Sequence, residues 1–91
     1  MAGNVVDVGV KETLERARTG SANLRFGEMR RLLEAVGFRL ARVSGSHHIF
    51  SHRGMRELVN LQEVDGKCKP YQLKQVLKLI DRYNLSVGDE P

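Results

Sequence analysis

A glycine, two serines and a pair of histidines stand together in Ser44-Gly45-Ser46-His47-His48-Ile49-Phe50, and this stretch is where the chain could do chemistry. Imidazole can both take and give a proton near neutral pH. Gly45 and Ser46 are turn residues, and Ile49-Phe50 continue as an apolar strand, so the histidines sit at a strand start behind a tight turn. No Asp or Glu occurs between Ala35 and Arg56, so nothing in the local sequence repels a polyanion. A histidine fixed at a turn in basic surroundings points to proton transfer on a phosphate-bearing partner.

Strand parity separates the histidines. Phe50 is the natural core residue of its strand, so His48 and His52, two residues to either side, point the same way. His47 falls on the opposite, open side, next to the Gly45-Ser46 turn. A zinc site would need His48 and His52 to converge, yet four residues of strand hold them about 13 Å apart. With one cysteine and no carboxylate nearby, no metal site is expected. A Ser-His nucleophilic arrangement is no better supported, because Ser46 and His47 are adjacent and no acidic residue is close in sequence.

The elements that must position His47 are legible from spacing. Val10 to Thr19 reads as a short charged helix with Lys11–Glu15 and Glu12–Arg16 pairs, stopped by Gly20. Its apolar face, Val10, Leu14 and Ala17, is thin, so it needs a neighbour to dock on. Residues 1–9 read as loose and 21–26 as a connection. Met29, Leu32, Leu33 and Val36 fall at i, i+3, i+4 and i+7, which predicts a helix over 27–36 ended by Gly37, with Gly27 at the N-cap. Strands are expected at 38–43, 48–52 and 58–62. The parity change between Phe38/Leu40 and Ala41/Val43 suggests either a bulge in the first or a sheet covered on both sides. Connections of about three to five residues, around Gly45 and Gly54, are too short for a parallel crossover, so the sheet must be an antiparallel meander. A polar loop over 63–69 precedes a helix opened by Pro70 and running to about Tyr83. There Leu73, Val76, Leu77 and Ile80 form one stripe, with Lys74, Lys78 and Arg82 on another.

The expected class is therefore α+β, in the order α-β-β-β-α with an extra N-terminal helix. Two helices with one apolar face each can lie across one side of a three-stranded antiparallel sheet and leave the other side open. Ninety-one residues make one modest core and no deep cavity, so any site must lie on an open surface. Domain bounds are expected at 1–25 for an N-terminal extension, 26–85 for the main unit and 86–91 for a polar tail.

Fifteen basic against eleven acidic residues give a net charge of +4. Residues 1–36 are nearly balanced, and the excess lies beyond them, in two acid-poor groups: Arg39, Arg42, Arg53 and Arg56, and Lys67, Lys69, Lys74 and Lys78. If both groups share one side of the fold they make a footprint of nucleic-acid size. Cys68 is alone, so no internal disulfide forms and an oxidising compartment is not implied. With no apolar leader and no apolar run of membrane-spanning length, the chain reads as cytosolic.

Gly37-Phe38-Arg39-Leu40 followed by Arg42-Val43-Ser44-Gly45-Ser46-His47-His48-Ile49-Phe50 resembles the HicA toxin family of bacterial toxin–antitoxin modules. Leu58-Val59-Asn60-Leu61-Gln62, Gly66, Lys69-Pro70-Tyr71 and Gln75-Val76-Leu77 are similar to its longer members. The likeness covers about residues 25–83. It implies a double-stranded-RNA-binding-domain-like fold and an mRNA interferase, a cytoplasmic endoribonuclease acting on mRNA and held inactive by a HicB-like antitoxin, with no cofactor. It also implies that His47 is the catalytic histidine and Gly45 the turn glycine.

On that expectation His47 is general base toward the RNA 2′-hydroxyl or general acid to the leaving 5′-oxygen, with Ser46 supporting the turn. Arg42, Lys67 and Lys69 are candidates to stabilise developing phosphorane charge. Arg39, His48, Lys74 and Lys78 are candidate RNA contacts. The second proton-transfer group is unassigned, His48 being the nearest alternative although its parity is wrong. Two other functions fit the residues: a non-catalytic RNA-binding domain of the same fold, or a protein-interaction platform for an acidic partner.

Overall fold

The apolar spacings become six elements in the computed structural model, which describes residues 8–20 and 24–87. They are α1 (Val8–Arg18), α2 (Phe26–Ala35), β1 (Phe38–Ser44), β2 (His47–His52), β3 (Val59–Gln62) and α3 (Pro70–Arg82). The strands form one antiparallel meander in the order β1-β2-β3. This is the α+β layout expected, with helices stacked on one face of the sheet.

The core forms where the helical stripes meet the inward residues of the strands. Met29, Leu32 and Leu33 of α2, Leu73, Val76 and Ile80 of α3, and Phe38, Phe50, Val59 and Leu61 of the sheet are buried together. Phe50 at the centre is fully buried, a burial that stabilises by roughly 1.5–3 kcal/mol. The register of β1 shifts between Leu40 and Arg42, leaving Ala41 as the extra residue of a β-bulge. The bulge explains the parity change: Phe38, Leu40 and Val43 pair with His52, Phe50 and His48 on the helix side, while Arg39 and Arg42 pair with Ser51 and Ile49 on the other.

The thin face of α1 is docked as its composition requires. Val10, Thr13 and Ala17 are buried, and Leu14 packs on the core. Two ion pairs fasten α1 to the other helices, Arg16 to Glu28 of α2 at 2.9 Å and Arg18 to Asp81 of α3 at 2.8 Å. Both are solvent-exposed, so water and salt screen them and they add little to stability.

Four local expectations are corrected. The N-cap of α2 is Arg25, not Gly27, and the Glu28 carboxylate accepts the Arg25 N–H at 3.0 Å. Because β1 and β2 run closer to their turn than expected, their link is only Gly45-Ser46, and β3 begins one residue later than expected, so the β2–β3 link covers 53–58. The polar loop is instead a tight hairpin: Val64 and Lys67 exchange backbone hydrogen bonds at 3.0 Å across Asp65 (φ 53°) and Gly66 (φ 76°). Positive φ at both central residues is the type I′ pattern that Asp-Gly favours. Gly66 C=O then accepts the Phe26 N–H at 2.8 Å, tying this hairpin to the start of α2. Finally, the tail is not wholly polar in its packing, since Val87 is buried in the core. The expectation of a loose 1–9 falls outside the described residues up to position 7, while Val8 and Gly9 begin α1.

Candidate nucleic-acid interface

The Gly45-Ser46 turn sets the site. Gly45 has φ 60° and is the only one of the two central residues at positive φ, the pattern of a type II′ hairpin turn, whose backbone twist suits the strands. It brings Ser44 opposite His47. The Ser46 carbonyl accepts two donors, the Glu63 N–H at 3.0 Å and His48 Nδ1–H at 3.3 Å. The turn is thereby pinned to the end of β3.

The register then lays out the open face row by row. Ser44, His47 and Gln62 form one row, Arg42, Ile49 and Asn60 the next, and Arg39 and Ser51 a third. His47 is exposed, and its Nδ1 lies 3.1 Å from Asn60 Oδ1. An amide oxygen only accepts, so Nδ1 carries a hydrogen, and in the neutral ring Nε2 then keeps its lone pair. Among the described residues no partner occupies that Nε2. Asn60 is neutral, so it orients the ring without neutralising an imidazolium, and the same bond survives when Nε2 takes a proton. Arg42 sits on the opposite diagonal from Asn60, at the cross-strand spacing of about 7–8 Å.

The other two histidines serve the fold. His48 faces the helices, its ring tilted against Phe26 at 4.5 Å between centroids. His52 donates Nε2–H to the Val36 carbonyl at 3.0 Å and accepts the Gly54 N–H on Nδ1 at 2.9 Å. Both of its nitrogens are used, and its ring meets Phe38 edge-on at 5.0 Å. His48, a candidate RNA contact by sequence, thus lies on the opposite face from His47, where Phe26 claims its ring.

The cations divide. Arg39 and Arg42 stand on the open face, whereas Lys74 and Lys78 lie on the exposed flank of α3 in the helical layer, so the two basic groups do not share one side. Lys67 is on the small hairpin and Lys69 is the N-cap of α3, beside the β3 edge. Gln72, buried at 3 % exposure, bridges there: its Oε1 accepts the Lys69 N–H at 3.3 Å and its Nε2 donates to the Asn60 carbonyl at 3.1 Å. Asn60 and Gln72 were not selected from the sequence. The alternation of Val59-Asn60-Leu61 marks Asn60 as outward, but only the β2–β3 register puts it beside His47. Cys68 is half-buried, and burial together with Glu63 pushes its thiol up to about 11, which suits a packed side chain and not a nucleophile.

A three-stranded antiparallel sheet, helices on one face and a turn-mounted histidine on the other define a small α+β platform of the double-stranded-RNA-binding-domain type. The model for "HicA toxin of bacterial toxin-antitoxin" matches residues 26–81, well over half of the chain. The protein belongs to the HicA toxin family. No curated protein and no solved structure matches it significantly. Among the described residues no helix is long and apolar enough to cross a membrane.

Proposed function

We propose that this toxin is an endoribonuclease, an mRNA interferase that needs no metal ion, with His47 as its proton-transfer residue and a HicB-like antitoxin as its inhibitor. The observation that carries the reading is the His47 ring itself: exposed on the open face, held at Nδ1 by Asn60, and bearing an unengaged Nε2. RNA supplies its own nucleophile. Nε2 takes the proton of a 2′-hydroxyl as that oxygen attacks the adjacent phosphorus, the P–O5′ bond breaks, and the products end in a 2′,3′-cyclic phosphate and a 5′-hydroxyl. General-base help of this kind is typically worth about 10²–10⁴-fold. Arg42, one diagonal away, stabilises the charge that accumulates on the phosphorane oxygens. Both other histidines face the helices, so the leaving 5′-oxygen takes its proton from solvent. Residues 26–85 form the working unit, braced by α1 and by Val87.

Incubation of the purified protein with RNA in EDTA tests this. Cleavage with cyclic-phosphate ends, abolished by a single 2′-deoxy nucleotide at the cut site, is expected. Salt-dependent binding without cleavage would instead make the domain a non-catalytic RNA binder.

A further inference from the structure

At the end of the sheet away from the Gly45-Ser46 turn lies a depression of about 560 Å³, lined by Gly37, Arg39, Ser51, His52 and Arg53. Arg39 and Ser51 are register partners on the open face, the same face as His47. Along β2, Ser51 follows His47 by four residues, about 13 Å of strand. Arg42, opposite Ile49, falls between them. A row of cations therefore runs from the histidine to this depression.

Its floor is a built feature. Gly37 has φ 106°, and a Cβ there would lie 2.6 Å from His52 Nε2, so the absence of a side chain lets the His52 ring lie against the backbone. That ring is locked by its bonds to Val36 and Gly54. Among the described residues neither Arg39 nor Arg53 has a carboxylate partner, while Arg16, Arg18, Arg30 and Arg82 each do. The lining offers two guanidiniums and the Ser51 hydroxyl, and no carboxylate, a donor set suited to a phosphodiester. The exposed Leu40 and Val43 of β1 lie on the helix side of the sheet, away from it.

We infer that this depression is a second phosphate subsite, which holds a neighbouring phosphodiester of the same RNA strand about two nucleotides from the bond cut at His47. The inference rests on the reading of the open face as an RNA site, and it adds a length requirement. RNA that reaches from His47 to Arg53 gains a charge-assisted contact that a shorter substrate lacks.

The test compares kcat/KM for an oligonucleotide extending several nucleotides on both sides of the cut with that for one trimmed on both sides. It uses wild type, Arg53→Ala, Arg53→Lys and, as a control from the helical layer, Arg18→Ala. The advantage of long over trimmed RNA should shrink about tenfold in Arg53→Ala, recover in part in Arg53→Lys, and persist in Arg18→Ala. Binding of an uncleavable 2′-deoxy strand is measured in parallel. The slope of log affinity against log salt should fall by about 0.7 in Arg53→Ala. An undiminished long-over-trimmed advantage in Arg53→Ala overturns the subsite. If wild type cleaves nothing, the nuclease reading fails by itself and the salt slope alone decides the subsite. An unchanged slope with weakened antitoxin binding would assign Arg53 to a protein contact.

Discussion

The helical layer and the open sheet face use the same side chains in opposite ways. In the helical layer four arginines are fasteners, Arg16 holding Glu28, Arg18 holding Asp81, Arg30 pairing with Glu34 and Arg82 with Glu57, although Arg31 of α2 has no such pair among the described residues. On and beside the open face, Arg39, Arg42 and Arg53 have no carboxylate partner among the described residues, and the sequence from Ala35 to Arg56 contains none to offer. Histidines divide likewise. His52 has both ring nitrogens engaged and His48 is turned to the helices against Phe26, while His47 presents on the open face a ring nitrogen without a partner among the described residues. Charge that is paired internally stabilises the fold, and charge left unpaired is available to a ligand. For the histidines the difference is set by which side of β2 each occupies.

Substitutions on either side of β2 should therefore separate stability from activity. Phe50→Ala removes a fully buried ring and should cost about 3–5 kcal/mol in denaturant unfolding. Ile49→Ala, next to it but only half-buried on the open face, should cost about 1 kcal/mol or less. Comparable losses at the two positions would mean that the open face is covered. Gly37→Ala places a Cβ against His52 at positive φ and should cost at least about 2 kcal/mol. Gly45→Ala, with positive φ but open space around it, should cost less.

Asn60→Leu should leave the unfolding midpoint nearly unchanged, because the Asn60 carbonyl still accepts from Gln72. It should slow RNA cleavage about tenfold, by loss of roughly one hydrogen bond's orientation. The nitrogen chemical shifts of His47 should move from the Nδ1–H form toward a tautomer mixture. An unchanged rate would remove Asn60 from the site.

The smallest effect is on the helical side and depends on pH. The Arg16 guanidinium and the Arg25 N–H hold the Glu28 carboxyl below its ordinary value of 4.5. As the pH falls below about 4.5, the unfolded chain binds that proton before the folded one does. The stability Glu28 contributes is thus complete above this range and is lost as pH drops through its lowered folded value. Arg16→Ala should flatten that part of the acid-unfolding curve slightly, the pair being screened by solvent, and leave RNA affinity at neutral pH alone. A loss of RNA binding in Arg16→Ala would blur the division between the two regions.

Much of this arrangement was legible in the sequence because it follows from local periodicity. The 3- and 4-residue spacings placed α2 and α3 within a residue or two, the parity break foretold the bulge at Ala41, and counting from Phe50 put His47 alone on the open side. What sequence reasoning missed depends on contacts between distant segments. Asn60 becomes His47's partner only through the β2–β3 register, which the 53–58 connection does not specify. Lys74 and Lys78 looked like partners of Arg39 and Arg42 by composition, yet α3 carries them on the helical layer. Asp65-Gly66 was read as part of a polar loop because its flanking arms are too short to show alternation, so its role in anchoring Phe26 appears only in three dimensions. Val87 looked like part of a polar tail because one apolar residue shows no period.

The central claim is tested most directly by single-turnover RNA cleavage in EDTA by His47→Ala beside wild type. His47 is exposed, so the variant should fold and bind RNA with the wild-type salt dependence while its cleavage rate falls about 10²–10⁴-fold. A variant that folds, binds and cleaves at the wild-type rate would contradict the account.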